Sequence, residues 1–155
     1  MKIVCCLKIL SGLLTPIIAI IALYIAYQQY LINKRKLRLD LYEKRFIIFK
    51  ETKNFLLKII QDEKIATTEL QIFIFSTKES RFLFENDISN LIENIVKNSK
   101  ELSHLVAYFQ IKNPSATQTE NYEKAEIKMN LSNWFTLQYD NIEYTFEKYL
   151  DFKNL

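Results

Sequence analysis

The sequence predicts an all-α protein: a single transmembrane helix that continues into a cytoplasmic antiparallel bundle of three to four helices. Three observations lead there. The stretch ILSGLLTPIIAIIALYIAYQQYLIN, Ile9 to Asn33, contains no charged residue. The chain of 155 residues has one Gly and two Pro. From Leu37 onward, apolar residues recur at helical rather than alternating spacing.

The uncharged stretch is long enough to cross a hydrocarbon core of about 30 Å at about 1.5 Å per helical residue. Thr15 and Pro16 mark a helix start or a kink within it, because Thr suits an N-cap and Pro the first helical position. Tyr24, Tyr27 and Tyr30 recur along one side near its end, as in an aromatic belt. Bulky Tyr, Gln and Leu follow the apolar run, which disfavours a cleaved signal peptide. Residues 1–32 are therefore read as an N-terminal membrane anchor and 33–155 as a cytoplasmic helical domain.

The net charge of +3 conceals a polarity. Residues 33–53 carry eight Lys/Arg against three Asp/Glu, while 54–155 carry eleven against fifteen. Lys2 and Lys8 precede the span; Lys34, Arg35, Lys36, Arg38, Lys44 and Arg45 follow it. The positive-inside rule then places the N-terminus outside and the C-terminal domain in the cytoplasm, across the cell's inner membrane. Lys34, Arg35, Lys36 and Arg38 form a basic collar suited to anionic headgroups, at about 1 kcal/mol per residue near the surface. Together with the three tyrosines, these are the candidate membrane-contact residues. A mildly acidic distal domain argues against nucleic acid as a partner.

The scarcity of Gly shapes the rest. Tight hairpins need residues at positive φ, and long helices with few loops do not. Phosphate-binding loops, dinucleotide fingerprints and serine nucleophile elbows also require Gly at set positions. In the first soluble helix, Leu39, Tyr42, Phe46, Phe49, Leu56 and Ile59 lie on one side, with Leu41, Ile48, Thr52, Phe55 and Ile60 beside them. Asp40 and Lys44 stand at i,i+4 spacing for a surface ion pair. No breaker lies between Pro16 and about Asp62.

The run LRLDLYEKRFIIFKETKNFL resembles a recurrent segment of small uncharacterised bacterial membrane proteins with one N-terminal span. The matching residues are Leu39, Asp40, Leu41, Tyr42, Arg45 and Phe46. A downstream Phe82-Leu83-Phe84 before an amphipathic helix is similar too. The resemblance covers roughly residues 20–110. It implies fold and topology, and no activity.

After a polar break at 62–66, two readings stand for LQIFIF and RFLF around STKES. One is a short helix at 67–79, with Thr68 and Gln71 at capping-box spacing. The other is a β-hairpin, supported by aromatic and β-branched content but disfavoured by a turn without Gly or Asn. Asn86 or Asp87 caps a helix over 87–111, whose stripe is Ile88, Leu91, Ile92, Ile95, Val96, Leu102, Leu105, Val106 and Phe109. A loop around Pro114 follows. The last helix spans 119–151, with Leu131, Phe135, Ile142, Phe146 and Tyr149/Leu150 inward, Met129 and Tyr139 adjacent, and Trp134 at the stripe edge.

Candidate chemistry is thin. Glu101 and His104 match the Glu-x-x-His spacing of di-metal carboxylate bundles, but such sites need a second His. His104 is the only one, and helical phase places it on the polar face. Cys5 and Cys6 are adjacent in sequence and read as small apolar residues. No catalytic, metal or cofactor residue is assigned. The expected function is a non-enzymatic, membrane-anchored interaction or scaffold protein whose helical domain binds a protein partner or self-associates. The alternative is a membrane-perturbing effector of the toxin or antiphage-defence type, acting through its span.

Overall fold

A computed structural model describes residues 2–62, 65–111 and 117–151, with side chains described from Leu14 onward apart from Thr15. The described residues form helices only. They are α1 (Lys2–Asp62), α2 (Thr67–Thr77), α3 (Ser80–Leu83), α4 (Asn86–Gln110) and α5 (Gln118–Leu150). The expected loop around Pro114 and the side chains of Lys2, Cys5, Cys6 and Lys8 lie outside the described residues.

The chain divides into two compact units, Met1–Asp40 and Leu41–Leu155. The boundary read from sequence, 32/33, marks where the apolar run ends; the change in packing falls later, at 40/41. In the first unit α1 runs through Pro16 rather than starting there. Pro16 removes one amide from the ladder, the one that would reach the Gly12 carbonyl. Apolar helices tolerate that loss when their other backbone bonds stay internal. By length and composition, α1 is the one described helix suited to cross a membrane. Ile17, Ile18, Ile20, Ile21, Leu23 and Ile25 are each between 50% and 71% exposed.

The second unit closes around one apolar cluster. The remainder of α1 contributes Ile48, Phe55, Leu56 and Ile59; α2 contributes Leu70 and Phe73. Phe84 follows α3, and α4 and α5 supply the other wall, including Ile88, Ile95, Phe135 and Phe146. Contacts set the directions within this unit. Phe55 stacks on Phe73 with centroids 4.1 Å apart, and Lys44 lies 3.8 Å from Glu79, so α2 runs against α1. Arg45 meets Tyr149 and Lys53 meets Glu143, so α5 runs against α1 as well. Asp87 meets Tyr149 and Tyr108 meets Asn121, so α4 and α5 are also opposed.

Several sequence expectations change here. The buried stripe of α1 is Ile48, Thr52, Phe55, Leu56 and Ile59, rotated from the Leu39–Phe46 line. Phe46 is 41% exposed and Leu39 is exposed as well. The reason is Arg45, which occupies the inward position one turn before Ile48. Lys44 pairs with Glu79 rather than with Asp40. Residues 67–77 are helix and not hairpin. The N-cap is Ala66 and not Thr68. Glu69 Oε2 accepts from the Ala66 amide at 3.3 Å, which supplies only the returning half of a capping box. α4 begins after Glu85 with no side-chain cap; Asp87 Oδ1 instead accepts from the Ile88 amide at 2.8 Å. α5 is capped by Thr117, whose hydroxyl accepts from the Glu120 amide at 3.3 Å. Trp134 is half-buried against the core and packs edge-on to Phe135.

Two buried positions on facing helices differ in consequence. Phe146 is fully buried between Phe49 and Phe84, with both centroids at 5.4 Å. Phe146→Ala is expected to cost about 3–5 kcal/mol, the transfer term plus the cavity. Ser99 is fully buried, and its hydroxyl has no hydrogen-bond partner among the described residues. Ser99→Ala is expected to change stability by less than about 1 kcal/mol, in the favourable direction, because no bond is lost. Chemical denaturation of the full chain in detergent compares the two.

Candidate membrane-boundary site and the Arg45 latch

The expected membrane-contact residues all lie on α1 of the first unit. Tyr24, Tyr27 and Tyr30 are about equally exposed, and Lys34, Arg35, Lys36 and Arg38 are exposed as well. Helical phase explains the difference between the two groups. Steps of three residues drift by about 60°, so the tyrosines stay on one side. Lys34, Arg35 and Lys36 advance by about 100° each and, with Arg38, spread cations over more than half of the helix circumference. Leu37 occupies the remaining side. Gln28 Nε2 donates to the Tyr24 hydroxyl at 3.0 Å, one turn apart.

Arg45 does not belong to this collar, although the sequence counts it among the flanking charges. Its guanidinium is partly buried in the second unit. Nε donates to the Leu83 carbonyl at 2.9 Å and Nη1 to the Tyr149 carbonyl at 3.4 Å. The same group stands 5.9 Å from the Phe84 ring centroid and 5.6 Å from that of Tyr149. Both carbonyls lie in the final turns of their helices, where the intrahelical ladder leaves oxygens without partners. One planar fork thus satisfies two helix ends and lies against the aromatic pair that lines them.

The polar shell continues outward. The Tyr149 hydroxyl donates to Asp87 Oδ1 at 2.6 Å, and Lys148 Nζ lies 3.0 Å from Asp87 and 3.1 Å from Glu85. Burial acts to raise the Asp87 carboxyl. Hydrogen bonds from Tyr149, Lys148 and the Ile88 amide outweigh it and hold Asp87 below its usual range. Burial and the bond to Asp87 push the Tyr149 hydroxyl up. The Tyr149 hydroxyl, Asp87 and Glu85 keep Lys148 charged well above its ordinary range. On the surface, the hydrogen bond from Lys58 lowers Glu69, and Lys53 and Lys124 do the same for Glu143 and Glu120.

His104 is exposed on α4. Among the described residues, no three His, Cys, Asp or Glu side chains converge as a metal would require.

No protein-family model, curated protein or solved structure matches the chain. The resemblance read in the sequence therefore rests on its own residues. Two of its separated segments meet in space: Arg45 of the first bonds the Leu83 carbonyl and faces Phe84 of the second. Sequence reasoning missed this pairing, because a lone Arg in a basic run looks like one more flanking charge. The signal was positional. Arg45 stands three residues before Ile48, in phase with the inward stripe.

The latch and its polar shell set the expected effects of three substitutions. Arg45→Lys is expected to cost about 1–3 kcal/mol, since a flexible ammonium cannot span both carbonyls. Lys44→Ala, which removes an exposed pair, is expected to stay within about 0.5 kcal/mol. Thermal melting separates a structural Arg45 from a purely topological one. For pH, the folded Asp87 lies below its unfolded value. Its contribution is complete above about pH 4 and fades as pH falls through the lower folded value. Asp87→Asn is expected to flatten that acid limb, leaving the share that comes from Glu69, Glu120 and Glu143. Melting curves between about pH 6 and pH 2 test the difference.

Proposed function

We propose that this chain is a single-pass protein of the inner membrane, with its N-terminus outside and a cytoplasmic antiparallel helical bundle. Its work is non-enzymatic: the bundle binds a protein partner or a second copy of itself. The observation that carries this reading is the apolar face of α1. Six Ile and Leu side chains between Ile17 and Ile25 stand at least half exposed. A core helix of a soluble protein would bury such residues against its own chain, and so large an exposed apolar surface calls for another phase or another molecule. The bilayer supplies that phase. The aromatic side and the cluster of cations that follow suit the interface and the anionic headgroups on its inner face.

The helical domain supports the second half of the reading. Its core is closed, and its outer faces carry charged residues interspersed with exposed Phe75, Leu137 and Tyr144. Scattered exposed aromatics on a closed core are available for association rather than for stability.

The test joins topology with association. A fluorescent protein fused to the C-terminus is expected to fluoresce, and alkaline phosphatase fused there is expected to stay inactive. Replacing Lys34, Arg35, Lys36 and Arg38 by Gln is expected to mix the two orientations. It should also weaken binding of the chain to anionic vesicles by about 1 kcal/mol per residue removed. In-cell crosslinking from the domain is expected to yield a dimer or one defined partner. An active C-terminal phosphatase contradicts the topology. A domain that stays monomeric and crosslinks to nothing contradicts the function.

A further inference from the structure

A groove of about 760 Å³ lies within the second unit, between the α2–α3 corner and α4. Its apolar surface comes from Ile74 and Phe82 on one side and Ile92 and Val96 on the other. Phe82 is 89% exposed at its lip, the most exposed large apolar side chain described. Lys78, Arg81, Lys97 and Lys100 surround the opening, with Glu93 as the single acidic lining residue. Glu93 already pairs with Arg81 at 2.6 Å. Lys97 and Lys100 stand one turn apart on α4, exposed and without an ion pair among the described residues. Lys78 Nζ lies 4.1 Å from the Phe75 ring centroid.

We propose that this groove binds a single-chain anionic lipid, with the acyl chain along Phe82, Ile92 and Val96 and the head group between Lys97, Lys100 and Lys78. Charge complementarity argues for an anion. Residues 54–155 are acidic on balance, yet this rim gathers four cations around one paired carboxylate. Dimensions suit a single acyl chain. The α4 wall runs from Ser89 to Lys100, about 16 Å at about 1.5 Å per residue. The groove volume falls among those of small-ligand sites, roughly 300–1,000 Å³. The site lies wholly inside the second unit and does not depend on the direction in which α1 crosses a bilayer.

The full chain in nanodiscs of zwitterionic lipid, exposed to hexadecanoic acid carrying a photoactivatable diazirine at its chain end, tests this. Mass spectrometry of the crosslinked peptides locates the label. Label is expected on the α2–α3 corner and on α4 near Ile92 and Val96, in addition to any on residues 16–32. Excess hexadecanoate is expected to displace the groove label, and the uncharged hexadecanol to leave it. The double substitution Lys97→Glu/Lys100→Glu, on exposed positions that leave the core intact, is expected to reduce groove labelling about tenfold. Labelling of 16–32 in the same sample should not change and serves as the internal standard. Label confined to 16–32, equal displacement by the alcohol, or undiminished groove label in the double variant would each overturn the proposal. So would Phe82→Cys dimers forming in place of lipid label, which would assign the groove to a second copy.

Discussion

Two helices of the second unit end against one guanidinium, and the architecture of that unit depends on it. Beyond the apolar segment, which holds Gly12, the chain has no Gly. Helices commonly close their C-termini with a Gly at positive φ, which turns the chain back and covers the last carbonyls. That device is missing here. α3 ends into extended backbone at Phe84, and α5 ends into extended backbone at Asp151. Arg45 supplies from a side chain what the backbone does not. It bonds the Leu83 and Tyr149 carbonyls and draws Phe84 and Tyr149 edge-on to one another at 5.1 Å. The core aromatics follow from that corner, because Phe84 packs in turn on Phe146, and Phe146 on Phe49.

Helix content, order and approximate limits were legible in the sequence because each rests on local periodicity. The stripe of α4 is the clearest instance, from Ile88 to Leu105, with Leu91, Val96 and Val106 half-buried at its margins. Phe109, placed on the same stripe, is exposed. The ends of helices were less legible. Capping residues were read two positions late at α2 and one or two late at α4, because Thr68, Asn86 and Asp87 have the right chemistry, whereas the helices start from Ala66 and Glu85 without a side-chain cap. Side chains that act across long separations were not legible at all. Arg45 and Leu83 are 38 residues apart, and Arg45 and Tyr149 are 104 apart. Periodicity carries no record of such distances. The candidate membrane residues rest on signals of the opposite kind, one apolar run and the charges beside it.

Charge is sorted along this chain by what each cation touches. Among the described residues, Lys34, Arg35, Lys36 and Arg38 hold no carboxylate. Lys53, Lys58 and Lys124 each hold a surface carboxylate. Lys148 serves Asp87 and Glu85 together, and Arg45 serves two backbone oxygens and two ring faces. Net charge cannot separate these roles, because an ammonium on a headgroup and a guanidinium on a helix end count the same. Only phase against the buried stripe and proximity to a helix terminus tell them apart.

The latch also has a temporal side. The apolar segment leaves the ribosome before Tyr149 does, so the second unit cannot close until α5 has been made. Its contacts join the start of the domain to its end, and loop closure over that separation delays folding. During that interval α1 has α2 to pack on, through Phe55 and Phe73, but lacks the wall that α4 and α5 supply. Such exposed apolar surface invites association with the wrong neighbour. Early capture of the leading segment by another phase would hold each unfinished chain apart from its siblings. The order of the sequence would then act as a folding aid that appears in no contact of the finished structure.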